Sequence, residues 1–331
     1  MLEGFHQILF AVRDVDAVPA AALRKLAVLA RACGARLELY HALTETITVA
    51  RPSRRDVGAG PESVFDAVAA RARARMEGLA RATALRGLQV TVHVDWDYPA
   101  HEAVIRRARA ISADLVVGEA RQHPRLARPF LQNTDWELVR HCPVPLLLLK
   151  DRRRYRRPLV LAAVDPFHAA DKPASLDRTL LAAGRRLATA LDGTLHVMHA
   201  WQPLASLVPT AASSPVPAYL PPEVEAAHAR QVRKAFERVA SRAGVETAAR
   251  HLVAGPVPAA LEAVTRRTRA AILVMGAVSR RGLQRLFIGN TAERVLGQVS
   301  CDVLVVKGPG FRSRVPARSA ARRPVIAPLP Y

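Results

Sequence analysis

Val257-Pro258-Ala259-Ala260-Leu261-Glu262-Ala263-Val264 opens a helix, and Tyr98-Pro99-Ala100-His101-Glu102-Ala103-Val104 opens another in the same manner. A proline suits the first helical turn, where its missing N–H would have no intrahelical partner. Downstream of each, an apolar strand ends in glycine: Asp114 to Gly118 and Ala271 to Gly276. Further on, Cys142-Pro143-Val144 and Cys301-Asp302-Val303 each open a fully apolar strand, closed by Lys150 and Lys307. Upstream, Ile8 to Asp14 and Leu159 to Asp165 read as strands ending in aspartate, followed by second strands Arg36 to His41 and Thr194 to Ala200. Long Arg/Ala/Glu helices, about Glu62 to Leu85 and Pro222 to Ala243, lead to third strands ending near Asp95 and His251. Leu176, Leu180, Leu187 and Leu191 fall on one helical face. The chain is a tandem repeat.

Strands alternating with helices predict parallel sheets with right-handed crossovers, and the near-continuous apolar runs Leu146 to Leu149 and Val303 to Val306 predict strands buried on both faces. The expected fold is α/β: two tandem doubly wound domains, each a five-stranded parallel sheet flanked by helices, with strand order 3-2-1-4-5. The 331 residues divide as a domain over 1–150, a basic linker over 151–157, a domain over 158–307 and a basic, Pro/Arg-rich tail over 308–331, expected to be disordered. Ligands of such sheets bind beyond the carboxyl ends of the strands. That puts Asp14 and Gly118 at one candidate site, and Asp165 and Gly276 at the other.

Half the residues are hydrophobic, enough for a core in each half. No apolar run approaches the roughly 20 residues of a transmembrane helix, and Met-Leu-Glu-Gly-Phe-His at the start predicts no signal peptide. Cys33, Cys142 and Cys301 form no CxxC pair and read as packed thiols, so a cytoplasmic location is expected. Of the net charge of +21, two runs carry +5 each and the remaining +11 is spread over the two domains. Lys150 to Arg157 holds six basic residues and one aspartate, and Gly308 to Tyr331 holds five arginines and no acid. Weak polyanion binding is one reading and solvated helix faces are the plainer one, because aromatic residues that could stack on bases are few there, Tyr155 in the first run and Phe311 near the second.

The most informative stretch runs Met275-Gly276-Ala277-Val278-Ser279-Arg280-Arg281-Gly282-Leu283-Gln284-Arg285-Leu286-Phe287-Ile288-Gly289-Asn290-Thr291-Ala292-Glu293. A strand ends in glycine, a Gly/Arg loop follows, and Gly-Asn-Thr opens a helix whose free N–H groups and dipole suit an anion. Asn290 or Thr291 serves equally as an ordinary N-cap. The stretch resembles the signature of the universal stress protein family: Gly, two residues, Gly, nine residues, then Gly-Ser/Thr. Gly276, Ser279, Gly289 and Asn290 fall on its marked positions, with Ser279 replacing the second glycine and Asn290 the hydroxyl residue. The resemblance extends over about residues 5–307. It implies a purine-facing Asp165 beside Ala163, a base-lining Ala200, and a phosphate loop of Gly276, Ser279, Gly289, Asn290 and Thr291. The implied ligand is a nucleotide, ATP in the family pattern, or another small anion. A homodimer is among the assemblies left open.

The first half keeps Gly118, but Glu119, Gln122 and His123 follow it and no later Gly-Ser/Thr appears, so a degenerate site is expected there. Arg121, Arg125 and Arg128 could hold another anion or form a solvated face. Phe130-Leu131-Gln132-Asn133-Thr134-Asp135-Trp136 resembles a tandem subtype of the same family. The eleven histidines are scattered, His196 and His199 face opposite sides of a strand, and neither a zinc spacing nor a nucleophile elbow occurs. No catalytic or metal site is predicted. The expected function is a non-enzymatic stress-response protein, at most a weak ATPase. The alternatives are a carrier for an apolar or lipid-like anion, motivated by the Pro-rich segment Pro203 to Pro222, and a polyanion binder.

Overall fold

The computed structural model describes residues 4–44, 61–122, 129–130, 133–167, 175–207, 220–277 and 290–319. The first repeat contains β1 (Gln7–Ala11), α1 (Ala20–Cys33), β2 (Arg36–Leu43), α2 (Pro61–Ala80), β3 (Val90–Trp96), α3 (Ala100–Ala110) and β4 (Leu115–Glu119). Two-residue strands β5 (Arg121–Gln122) and β6 (Pro129–Phe130), then α4 (Asn133–His141) and β7 (Leu146–Leu149), complete it. The second contains β8 (Leu159–Ala163), α5 (Ser175–Ala190), β9 (Thr194–Trp201), α6 (Pro222–Arg242), β10 (Arg250–Ala254), α7 (Val257–Thr268), β11 (Ile272–Gly276), α8 (Asn290–Gln298) and β12 (Asp302–Val306). Strands run β3-β2-β1-β4-β7 in the first repeat and β10-β9-β8-β11-β12 in the second, every pair parallel. This is the expected 3-2-1-4-5 order, twice.

Burial follows the sequence pattern. Leu146–Leu149 and Asp302–Val306 are buried throughout, as strands covered on both faces must be. The leucines of α5 and the residue that follows it close one side of the second sheet: Leu176, Leu180, Leu187 and Leu191 are all buried. The turn from α5 into β9 passes so close to the chain that a Cβ on Gly193 would lie 2.1 Å from the Pro158 carbonyl oxygen. No side chain fits there. Cys142 and Cys301 are buried and Cys33 is half-buried.

The structure revises the register between the repeats, and hence which residues correspond at the sites. Val12 N–H donates to the Tyr40 carbonyl, as Val164 N–H does to that of Met198. His41 Nδ1 donates to the Val12 carbonyl at 2.8 Å, and His199 Nδ1 to that of Val164 at 3.0 Å. A carbonyl oxygen only accepts, so the same histidine tautomer is fixed in both repeats. These paired bonds make Val12 the counterpart of Val164, and therefore Arg13, not Asp14, the counterpart of Asp165. Likewise Ala120 N–H donates to Leu149 and Ala277 N–H to Val306, which makes Glu119, not Gly118, the counterpart of Gly276. Pro99 at the start of α3 matches Pro256 at the start of α7, two residues before the sequence-based match at Pro258. The sequence match aligned similar letters, whereas the ladder hydrogen bonds align positions in space.

The chain splits into two compact units: Met1–Arg121, Leu131–Tyr155 and Arg312–Tyr331 form one, and Gln122–Phe130 and Arg156–Phe311 the other. Within the first unit, the linker is anchored to α1. Buried Lys25 donates to the Asp151 carbonyl at 2.6 Å and stands 5.0 Å from the Tyr155 ring centroid. Tyr155 is itself buried, so it offers no stacking face to a base. The tail, expected to be disordered, is held as far as it is described: Arg109 of α3 donates to the carbonyls of Val315, at 2.7 Å, and Ser313. Arg109 thus satisfies tail carbonyls that composition alone would leave to water.

Candidate functional site

The second repeat gathers four of the sequence-predicted residues at the carboxyl ends of neighbouring strands. Ala163 ends β8 beside Met198, Ala200 lies two residues further along β9, and Gly276 ends β11. Asp165 follows two residues after Ala163. Its backbone N–H donates to both carboxylate oxygens of Asp177 at 3.2 Å. Asp177 is buried in the first turn of α5, where a negative charge is favoured by the helix dipole. This contact fixes the chain as it leaves β8, and so sets where Asp165 emerges. Sequence reading missed Asp177. Its only signal was an acid set among the leucines of an otherwise apolar helical face.

A Cβ on Gly276 would come 2.7 Å from a terminal carbon of Leu176 in α5. Glycine therefore lets α5 pack over the end of β11. Two predicted phosphate-loop residues, Ser279 and Gly289, lie outside the described residues. Asn290 and Thr291 open α8, but their side chains also lie outside. The wall along β9 is aromatic. His199 lies between Phe167, at 6.2 Å between ring centroids, and Phe236 of α6, at 6.4 Å. Trp201 meets His228 edge-on at 5.4 Å. Phe167 is exposed, one of few large apolar side chains that are among the described residues. Gly255, at φ +130°, donates its N–H to the Trp201 carbonyl and turns the chain from β10 into α7. That conformation is open to glycine and closed to most other residues.

The same positions in the first repeat carry opposite chemistry. Arg13 stands where Asp165 does, and its guanidinium pairs with Asp135, whose side chain is 2 % exposed. Asp135 sits in the first turn of α4, at the position that Ala292 occupies in α8. A carboxylate of the chain itself thus lies at this helix N-terminus, the place an external anion would take. Glu119 in place of Gly276 adds a second negative charge. Asp14, expected at this site, is exposed, and its carboxylate accepts from the N–H of Asp16 in a local turn.

Among the described residues no group of three or more His, Cys, Asp or Glu is placed to hold a metal ion. No helix among them is long and apolar enough to cross a membrane.

Comparison with known proteins agrees with this architecture. The universal stress protein family model matches residues 4–150 and again residues 159–307. Universal stress protein E of Salmonella typhi is 28% identical over 235 residues, 69% of this chain and 72% of that protein. A homologue of the same protein from Haemophilus influenzae is 24% identical over 221 residues, 66% of this chain and 70% of its own length. Among solved structures, a protein of unknown function from Pseudomonas aeruginosa PAO1 superposes with a TM-score of 0.66 at 23% identity, over 93% of this chain and 94% of that one. A universal stress protein from Archaeoglobus fulgidus DSM 4304 gives a TM-score of 0.58 at 15% identity, over 91% and 98%. With two full matches to the family model in tandem and two sheets of one topology, the chain belongs to the universal stress protein family, in the two-domain arrangement shared with universal stress protein E.

Proposed function

We propose that this chain serves the general stress-response role of its family as a binding protein, not an enzyme, and takes one nucleotide or comparable small anion per chain in its second repeat. The supporting observation is the contrast between the two clefts. In the second, Asp165 follows from a backbone clamped by Asp177, and Gly276 and Ala292 take the places of Glu119 and Asp135. In the first, Arg13 and Asp135 take those positions for themselves. An acid beside a purine accepts from its exocyclic amine, and glycines with a helix N-terminus suit phosphate. A cytoplasmic location belongs to the same reading.

Calorimetry of the intact protein with Mg2+ and ATP tests this. One site per chain is expected, weakened about tenfold or more by Asp165→Ala, which corresponds to about 1.4 kcal/mol. Two equal sites, or no effect of Asp165→Ala, would overturn it. The exposed Phe167 beside His199 and Trp201 favours a second reading, a carrier for an apolar anion. Mass spectrometry of ligands released from purified protein separates the two.

A further inference from the structure

A histidine pair on the second sheet belongs neither to the cleft nor to the core. His196 of β9 brings Nδ1 within 2.9 Å of Nε2 of His251 in β10. The ring centroids are 5.2 Å apart and the planes 20° apart, which describes two rings meeting edge to edge. One nitrogen donates and the other accepts, which requires an unprotonated nitrogen on one ring. Strand register creates the pair. His251 is partnered with Met198, so His196, two residues back on β9, lies on the same face. His199, on the opposite face, stacks on α6 instead. The strands on either side of α7 cross the sheet in the opposite sense to those flanking α6, so right-handed crossovers place α7 over the histidine face.

The matching place in the first repeat is filled differently. Glu38 stands where His196 does, and Arg107 of α3 holds it with two bonds of 2.6 and 2.8 Å. In α7 the counterpart of Arg107 is Val264, which can offer no ion pair. An acid and its arginine have been replaced together, and the histidine has found a second histidine across the strand gap. Both rings are half-buried, within reach of solvent species.

We propose that His196 and His251 form a two-histidine site for a divalent transition-metal ion of the imidazole-preferring class, such as Cu2+ or Zn2+. Two metal–nitrogen bonds of ~2.0–2.1 Å at the right angle of tetragonal ligation span ~2.8–3.0 Å, and the nitrogens stand 2.9 Å apart. Both rings must turn so that their lone pairs converge on the ion. The shared proton moves to the outer nitrogen of its own ring, a change of tautomer that releases no proton. Burial lowers the proton affinity of both rings, and His196 and Arg267 lower that of His251 further. Protons therefore compete weakly at neutral pH. Water completes the coordination, because no third protein ligand joins the pair among the described residues. With two ligands and Arg267 nearby, affinity falls below that of a four-ligand structural site, and Cu2+ binds more tightly than Zn2+.

The test is titration of the intact protein with Cu2+, read by electron paramagnetic resonance for nitrogen ligation. The parent takes up one tight equivalent with two nitrogens. His196→Gln and His251→Gln each weaken that uptake about tenfold or more, with unfolding curves confirming that the variants fold. A measurement independent of variants is the ring-nitrogen resonances of the parent, where Zn2+ should shift the signals of this pair. Uptake as tight in either variant as in the parent, or ring signals of this pair that do not move with Zn2+, would overturn the site.

Discussion

The two repeats share a fold and differ in how they satisfy the same two places. At the carboxyl edge, the first repeat closes its cleft with Arg13 and Asp135, whereas the second presents Asp165 and Gly276. Under α3, the first repeat builds an ion-pair network. Arg106 grips Asp97 with bonds of 2.8 and 2.7 Å and reaches Glu102 at 2.8 Å, while Arg107 holds Glu38. Under α7, the second repeat has a neutral histidine pair. The contrast teaches that duplication kept the backbone ladder and freed the side chains at its margins. One copy carries the Arg13–Asp135 pair at positions where the other has Asp165 and Ala292.

The largest effect should come from opening the closed cleft. Arg13→Ala leaves Asp135 buried without this partner and should lower unfolding free energy by about 3 kcal/mol in urea titrations. Asp14→Ala, on an exposed residue, should cost less than about 0.5 kcal/mol. Equal costs would show that the repeats are paired wrongly at these positions.

The open cleft can be sharpened next. If the family loop operates here, Gly289→Val should abolish ATP binding by blocking the start of α8. Ser279→Gly should strengthen it about tenfold, or about 1.4 kcal/mol, by removing a Cβ from a loop that turns backbone amides toward phosphate. Glu119→Gly in the first repeat should leave the stoichiometry at one, since Arg13 and Asp135 still fill that cleft. A second bound nucleotide in Glu119→Gly would locate the obstacle in Glu119 alone.

The histidine pair separates the repeats by pH. His196 and His251 are held below the usual histidine value of 6.5 by burial. The unfolded chain therefore takes up protons first as pH falls. Stability from the pair is complete above about pH 6.5 and is lost as pH drops below it. His101 in the first repeat is lowered too, again chiefly by burial. Parent and double variant His196→Gln/His251→Gln, compared from about pH 8 to about pH 5, should differ in slope only on the acid side. The smallest effect is expected from the tail. Deleting residues 311–331 should leave both sheets intact and reduce salt-sensitive retention on DNA. Retention that is unchanged, or insensitive to salt, would remove the tail from any such role.

Hydrophobic period and turn chemistry determined the tandem repeat and the parallel sheets, because apolar strands and amphipathic helices are written in local sequence. That Asp165, Ala163, Ala200 and Gly276 lie at or just beyond strand ends was legible for the same reason, because strand ends are local features. What only the tertiary structure decided is which residues answer each other across the repeats. Arg13 rather than Asp14 corresponds to Asp165, and Glu119 rather than Gly118 to Gly276, because ladder hydrogen bonds fix register while letter-matching drifts by one. The clamp of Asp177 on Asp165, the Arg13–Asp135 pair and the His196–His251 contact join residues 12, 122 and 55 positions apart. No local pattern encodes such pairs. They exist because parallel strands and their crossover helices bring distant segments to one edge, where a buried charge or ring must find a partner.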